Sequence, residues 1–573
     1  MHHALLVPDV LDHILGFIKA DWLISRSTFT ALARTCSALS EASLDALWSD
    51  LSNLHPLVSC IYGANMKLSD ERTAEVDTDA GLDLSVFHKY AYRVRKLELS
   101  GFAVDWTLDA WSTSVADDLG VLHILQVPTP LLPNLNHLVW PDGVSLTLLW
   151  PLLNPRLLSL HIPRFQWSPK STPWLLPRIQ RLCPELSSLT LLCDAPQESP
   201  YQRVAESCLS RVICSWKKLK VLECNPMGRE CILSLPVLSS LRVLRFRVDN
   251  SSVLDLPANS LSFPSLHAFR LETNSPGAYS LLQAMKSLPK SIEIVLIVRC
   301  SGWNAGYGLE TVELILHPIA QNASYNNLEE FRMTVPAFPS GSIINGSNVL
   351  RPLFLCCNLR VLRIIMTPQF ILGDDDLRAM SSAWPQLEEL ELYHNPYAMS
   401  PDPPSPFFIG PPPTPPPISP SQPPVHLAAA QPALQGPLLP HPSALFLEYD
   451  ETYLHSNRAT EITLQGLISL LRLCPNLRFF NLAIDTTKLD GLQDDEPGDG
   501  VCNRLVKYPR LVDSPISDPE AVARILLDIF PELETICGEG SHYTTMFNEI
   551  LPQGWLQVEA KILASKAARG HET

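Results

Sequence analysis

Four arginines are the residues of this chain that most plainly suggest chemistry. Arg245, Arg270, Arg332 and Arg363 each follow the second apolar residue of a recurring pattern, apolar-x-x-apolar-x-apolar. A planar guanidinium pairs bidentately with carboxylate or phosphate, so the row is a candidate binding site for an acidic or phosphorylated protein segment. The copy of the pattern beginning at Ile292 interrupts the row, and the same slot holds Glu98, Glu223 and Glu391 elsewhere. A solvated sheet face that mixes charges for solubility is the competing reading. Phe479 and Tyr393 are candidate contact anchors, or core residues if the register is shifted by one.

Other constellations offer less. Asp374-Asp375-Asp376 suggests a cation site, but it precedes Leu377-Arg378-Ala379-Met380, where a helix N-terminus accounts for the carboxylates. The 16 histidines are dispersed, and His2-His3 makes a poor ligand pair. The 14 cysteines form no C-x-x-C pair and sit mostly in apolar segments such as Leu182-Cys183-Pro184. Too sparse for a disulfide scaffold, they suggest a reducing compartment. The sequence has no G-x-x-x-x-G-K-[ST] loop, G-x-S-x-G elbow or H-E-x-x-H pair. The expectation is a chain with no catalytic role, no metal and no cofactor.

The elements that position these residues are read from leucine. There are 95 leucines among 573 residues, and 52 prolines. The six-residue pattern begins at Val94, Leu135, Leu157, Leu186, Leu219, Leu241, Leu266, Leu328, Leu359, Leu387 and Leu477, with a looser copy from Ile292 and a truncated one at Leu533. Spacings of 22 (135 to 157), 29 (157 to 186), 25 (241 to 266), 31 (328 to 359) and 28 (359 to 387) lie at or near the period of leucine-rich repeats. Before several copies stands a helical stretch, as in Thr460–Leu473, and then a junction such as Cys183-Pro184, Trp384-Pro385, Cys474-Pro475 or Phe530-Pro531. Proline cannot continue a helix, so each unit reads as a helix, a turn and a strand. Such units bury their apolar sides only against neighbours, which predicts an α/β solenoid with parallel strands on its concave face and helices on its convex face.

The pattern is absent from the first 52 residues. Pro8 stands at a helix start, with Leu11, Ile14, Leu15 and Ile18 on one face; Thr28–Leu39 and Glu41–Leu51 read as two more amphipathic helices. Three short helices make a small core, so a partner is expected. From Pro396 to Pro442 there are 18 prolines in 47 residues, expected to be polyproline II or disordered. The net charge of −16 argues against nucleic-acid binding. No secretory leader or apolar run of membrane-spanning length is seen, so an intracellular protein, cytoplasmic or nuclear, is expected.

The Pro-x-x-Leu-x-x-Ile opening, the Leu32-Ala33-x-x-Cys36 stretch and the Leu44-x-x-Leu47-Trp48 close resemble an F-box, in the form common in fungal F-box/leucine-rich-repeat proteins. The resemblance covers about 45 residues. It departs from the family in having Val7 for the usual Leu and a longer first loop, Asp21 to Ser27. It implies docking on the Skp adaptor of a cullin–RING (SCF-type) ubiquitin ligase, with the repeats capturing a protein substrate for ubiquitination. The implied adaptor-facing set is Val7, Pro8, Leu11, Ile14, Leu15, Leu32, Cys36, Leu44, Leu47 and Trp48. The expected organisation is a helical module (1–52), a linker (53–93), repeats (94–395), a Pro-rich disordered insertion (396–445), further repeats (446–556) and a tail (557–573). A scaffold without any ubiquitin-ligase role is the alternative.

Overall fold

The computed structural model describes residues 7–21, 24–62, 84–99, 112–124, 127–142, 144–165, 172–193, 202–225, 227–248, 256–296, 309–335, 343–366, 369–394, 460–492, 498, 500–511, 514–536 and 553–570. The Pro-rich segment 396–445 lies outside these residues. The chain divides into two compact units, one of residues 1–334, 348–363 and 383–387, the other of residues 335–347, 364–382 and 388–573. The architecture is α/β, and among the described residues thirteen strands hydrogen-bond in chain order into a parallel sheet.

In the first unit the chain opens with α1 (Pro8–Ala20), α2 (Ser25–Thr35) and α3 (Ser37–Ser49). Pro8 occupies the first turn of α1, where its missing N–H leaves no bond unmade. The reading of Thr28–Leu39 as one helix is corrected at Cys36. That residue takes an extended backbone (φ −157°, ψ 154°), ends α2 and becomes the N-cap of α3. The helices then run straight into the sheet, because Asp50–Leu51 is its first strand and pairs with Lys96–Glu98. The expected linker 53–93 contains α4 (His55–Tyr62) and α5 (Ser85–Ala91). Leu54, Leu57, Val58 and Ile61 in and beside α4, and Phe87 and Ala91 in α5, are buried, so these segments belong to the core.

Every copy of the six-residue pattern that was read in full is a strand, from Lys96–Glu98 to Phe479–Asn481. The register is continuous: Leu97, Leu138, Leu160, Leu189, Leu222, Leu244, Phe269, Ile292 and Phe331 stand opposite one another across successive strands. Each of these side chains is at most 2% exposed. The junction before most of these strands is one repeated turn. The N–H of the first apolar residue donates to the carbonyl three residues back, as in Leu157 to Asn154, Leu219 to Trp216, Leu387 to Trp384 and Leu477 to Cys474. Proline at the second position of many of these turns supplies the φ they need.

In the second unit Glu389–His394 pairs with Phe479–Asn481, and a separate two-stranded ladder joins Ile343–Asn345 to Gln369–Ile371. Sequence reading missed one further copy, Val506-Lys507-Tyr508-Pro509-Arg510-Leu511. Val506 and Leu511 are buried, and Arg510 bridges to Asn481. Proline at the second apolar position has no N–H to give, so the copy makes a bridge rather than a strand. The truncated copy at Leu533 continues the same ladder, with the N–H groups of Glu534 and Thr535 on the Lys507 carbonyl. The expected tail is corrected as well: Gln553–Gly570 is a helix that buries Trp555, Val558 and Ile562. Ion pairing of Lys561 with Glu520 (2.5 Å) and the Ile536 N–H bond to Glu559 (2.9 Å) hold it there.

Candidate interaction surfaces

A straight helix turns 100° per residue, so positions 7, 10, 14 and 17 fall on one side of α1 and its N-cap. That side is not covered. Val7 is 46%, Val10 40% and Phe17 73% exposed, with Ile14 half-buried among them and Ile24 exposed just before α2. Phe17 meets the His13 ring edge-on at 5.5 Å. The adjoining stripe of α1, about 90° round the helix, carries Leu15, which is buried, and Leu11 and Ile18, which are half-buried. Phe17 and Val10 were missed in the sequence because α1 was read by its Leu11–Ile14–Leu15–Ile18 stripe, and Ile24 because it stands outside the helix, at the N-cap of α2.

The other residues of the expected set serve the chain itself to different degrees. Leu32, Cys36, Leu44 and Leu47 are half-buried. Trp48 stacks on Tyr90 at 4.3 Å with the rings 18° apart, so one of its faces is spent inside the first unit. Pro8 contributes its place in the first turn. α3 is locked to the sheet by Arg93, which pairs with Glu41 at 2.5 Å and with Asp45. The hydrogen bond from Arg93, and then its charge, hold the Glu41 carboxyl below its usual range. At the far end of the head, Lys19 of α1 pairs with Asp50 at 2.8 Å.

The second surface is the sheet face turned away from the buried ladder. Its arginines are not an unbroken row. Register places Glu223 opposite Arg245, Arg245 opposite Arg270, Arg270 opposite Glu293 and Glu293 opposite Arg332. Arg270 is held by Glu272 at 3.2 Å and Glu293 at 3.3 Å, Arg332 by Glu330 at 2.6 Å, and Arg245 by Glu223 at 3.8 Å. Arg363 occupies the same slot of Val361–Met366 and is half-buried. The face therefore mixes charge. Phe479 is half-buried in its strand, and Tyr393 lies in Glu389–His394.

The acidic run at 374–376 is engaged by the chain's own donors. Asp374 accepts the Thr463 N–H and hydroxyl, each at 2.7 Å. Asp376 accepts the Gly373 N–H at 2.8 Å, and Asp375 pairs with Arg378 at 3.2 Å. Thr463 in turn caps the helix Leu464–Leu473 by accepting the Gly466 N–H. A Cβ on Gly466 would stand 2.0 Å from the Asp374 carboxylate, so only glycine allows this approach.

One titratable pair was not visible in the sequence. Asp118, on the helix Ser112–Ile124, is 7% exposed, and its Oδ1 lies 3.9 Å from His55 Nδ1. Burial pushes its carboxyl up to about 6, with the His55 charge opposing. Ser59 Oγ is 3.4 Å from His55 Nε2. The order Ser–His–Asp matches a nucleophile with its base, but both separations exceed the roughly 2.6–3.2 Å that activates a hydroxyl. The Cys183, Cys356 and Cys474 thiols are pushed up to about 12 by burial, which makes them packing groups rather than nucleophiles. Among the described residues, no helix is long and apolar enough to cross a membrane. No protein-family model and no curated protein matches the chain.

Proposed function

We propose that this chain is a substrate receptor of the F-box/leucine-rich-repeat kind. Its amino-terminal helices hold the Skp adaptor of a cullin–RING ligase, and its sheet face captures a protein target for ubiquitination. The chain is then a non-catalytic subunit, with transfer done by other members of the assembly. The observation that carries this reading is the stripe Val7–Val10–Ile14–Phe17, three of whose four residues are exposed, beside the buried Leu15. Apolar anchors at helical spacing are what a helix offers to a groove on a partner. Phe17 and Val10 join the contact set on this reading, while Trp48 acts mainly by fixing α3 against Tyr90.

The test is co-expression of the intact chain with a Skp adaptor, beside a Val10→Asp/Phe17→Asp variant. The expected result is a stable complex with the intact chain and none with the variant, which keeps the parent's circular dichroism. Failure of the intact chain to bind overturns the receptor reading. It leaves a scaffold, in which the head only shields the first strand; the pairing of Asp50–Leu51 with Lys96–Glu98 favours that second reading.

A further inference from the structure

The sheet face carries a charge order with a definite length scale. From the strand Val221–Asn225 to the strand Ser291–Leu296, the residues standing opposite one another are Glu223, Arg245, Arg270 and Glu293. Two positions earlier, the row Val221, Val243, Ala268 and Ser291 is short and uncharged, so the charged row stands at the edge of a lower track. All four charged side chains reach solvent, with 26%, 49%, 38% and 34% of their surfaces exposed. Their mutual ion pairs restrain them without saturating them. Arg245 is the most exposed of the four and its contact to Glu223, at 3.8 Å, is long.

Neighbouring strands are about 4.8 Å apart, so Glu223 and Glu293, three strands apart, are separated by about 14 Å. The midpoint between Arg245 and Arg270 lies about 7 Å from each. An extended peptide advances about 3.4 Å per residue and turns alternate side chains to the same side. Residues i, i+2 and i+4 of such a peptide therefore fall at 0, about 7 and about 14 Å. The two rulers agree.

We propose, resting on the receptor reading above, that this face captures an extended target segment of the form basic-x-acidic-x-basic lying across the strands. The two basic residues sit over Glu223 and Glu293, and the central carboxylate sits between Arg245 and Arg270, where two guanidinium forks can share it. Such a segment carries a net positive charge, which the −16 charge of the chain attracts at long range. A uniformly acidic or multiply phosphorylated segment meets Glu223, Glu272 and Glu293 as well as that net charge, and is disfavoured.

The test uses the full chain and two fluorescein-labelled peptides in a Gly/Ser context, one with a Lys-Ser-Glu-Ser-Lys centre and one with Glu-Ser-Lys-Ser-Glu. In fluorescence anisotropy at about 50 mM salt the first is expected to bind at least about ten-fold more tightly, an advantage that shrinks when ions screen the face at about 0.5 M. The variant E223K/R245E/R270E/E293K keeps the net charge and is expected to invert the preference. Equal binding of the two peptides, binding of neither, or an unchanged preference in that variant overturns the proposal. If the fourfold variant does not fold, Arg245→Gln replaces it, and an undiminished preference overturns the proposal in the same way. Adaptor binding is measured on the same samples. Adaptor bound without peptide preference removes this inference alone, whereas preference without adaptor removes the receptor reading alone.

Discussion

Asp118→Asn is expected to make the first unit more stable at neutral pH, and the reason is worked from the burial of one carboxyl. Asp118 is 7% exposed, and its Oδ2 has no hydrogen-bond partner among the described residues. Its pKa is raised from 3.8 to about 6: burial is the main cause, the Asp117 charge adds to it, and His55 at 3.9 Å opposes it. The folded pKa lies above the unfolded one, so the fold favours the neutral acid. The stability this group contributes is fully present below about pH 4 and is lost as pH rises through about 6. A displacement of about two pH units corresponds to about 3 kcal/mol between the two limits. Asparagine cannot ionise and keeps the volume, at a cost of about 1 kcal/mol for a buried amide with imperfect partners. The expected gain is therefore about 2 kcal/mol at pH 7.5, falling to none or a slight loss at pH 4. Amide hydrogen exchange in His55–Tyr62 and Ser112–Ile124, measured at pH 4, 6 and 7.5 for both proteins, reads the local stability directly. A constant difference across that range, or a variant less protected at pH 7.5, refutes the assignment of a buried, charge-averse carboxyl.

Other outcomes follow from the same geometry. Gly466→Ala places a Cβ 2.0 Å from the Asp374 carboxylate and must break its bonds to Thr463; a loss of about 2–4 kcal/mol in urea melts of the second unit is expected, and a loss under about 0.5 kcal/mol contradicts it. Trp384→Phe removes the indole N–H bond to the Leu353 carbonyl (3.0 Å) and leaves that acceptor buried, so a cost of about 1–3 kcal/mol is expected, against none if water replaces the bond. Leu222→Ala opens the buried ladder and is expected to cost about 2–5 kcal/mol in urea melts of the first unit; a smaller loss means that the neighbouring strands collapse onto the gap. Phe17→Ala is expected to leave the melting temperature unchanged, since 73% of the side chain is in water, while weakening adaptor binding about ten-fold or more; the reverse pattern places Phe17 in the core.

The strands were legible because the leucine spacing encodes them twice, once as alternating burial and once as the turn that precedes each copy. Leu244 and Phe246 had to be buried if Leu241 was, and they are. Legibility failed where one residue does two jobs. Pro509 stands at an apolar slot and removes the N–H that makes a strand, so the copy at 506–511 was passed over. Cys36 looks like one more apolar position of a helix, yet its backbone is extended and divides α2 from α3. The run His55-Pro56-Leu57-Val58 lacks a capping residue and was read as linker, although its leucine is fully buried in α4. The candidate sites were harder to read because they depend on neighbours. Sequence order places Arg245 and Arg270 in one slot, but only register shows which glutamates face them. Asp118 and His55 are far apart in the chain, and nothing local marks them as a pair.

The absence of a hinge between α3 and the strand that follows it has a mechanical consequence. Ser49 ends the helix, Asp50 begins pairing, and Arg93 and Lys19 brace the junction from both sides. A protein seated on α1 is thus carried at a fixed bearing to the first strands, as on a bracket rather than a tether. Its reach toward anything held along those strands is then set by how α3 continues into the sheet. Two or three glycines inserted after Ser49 would convert the bracket into a leash while leaving every contact surface intact.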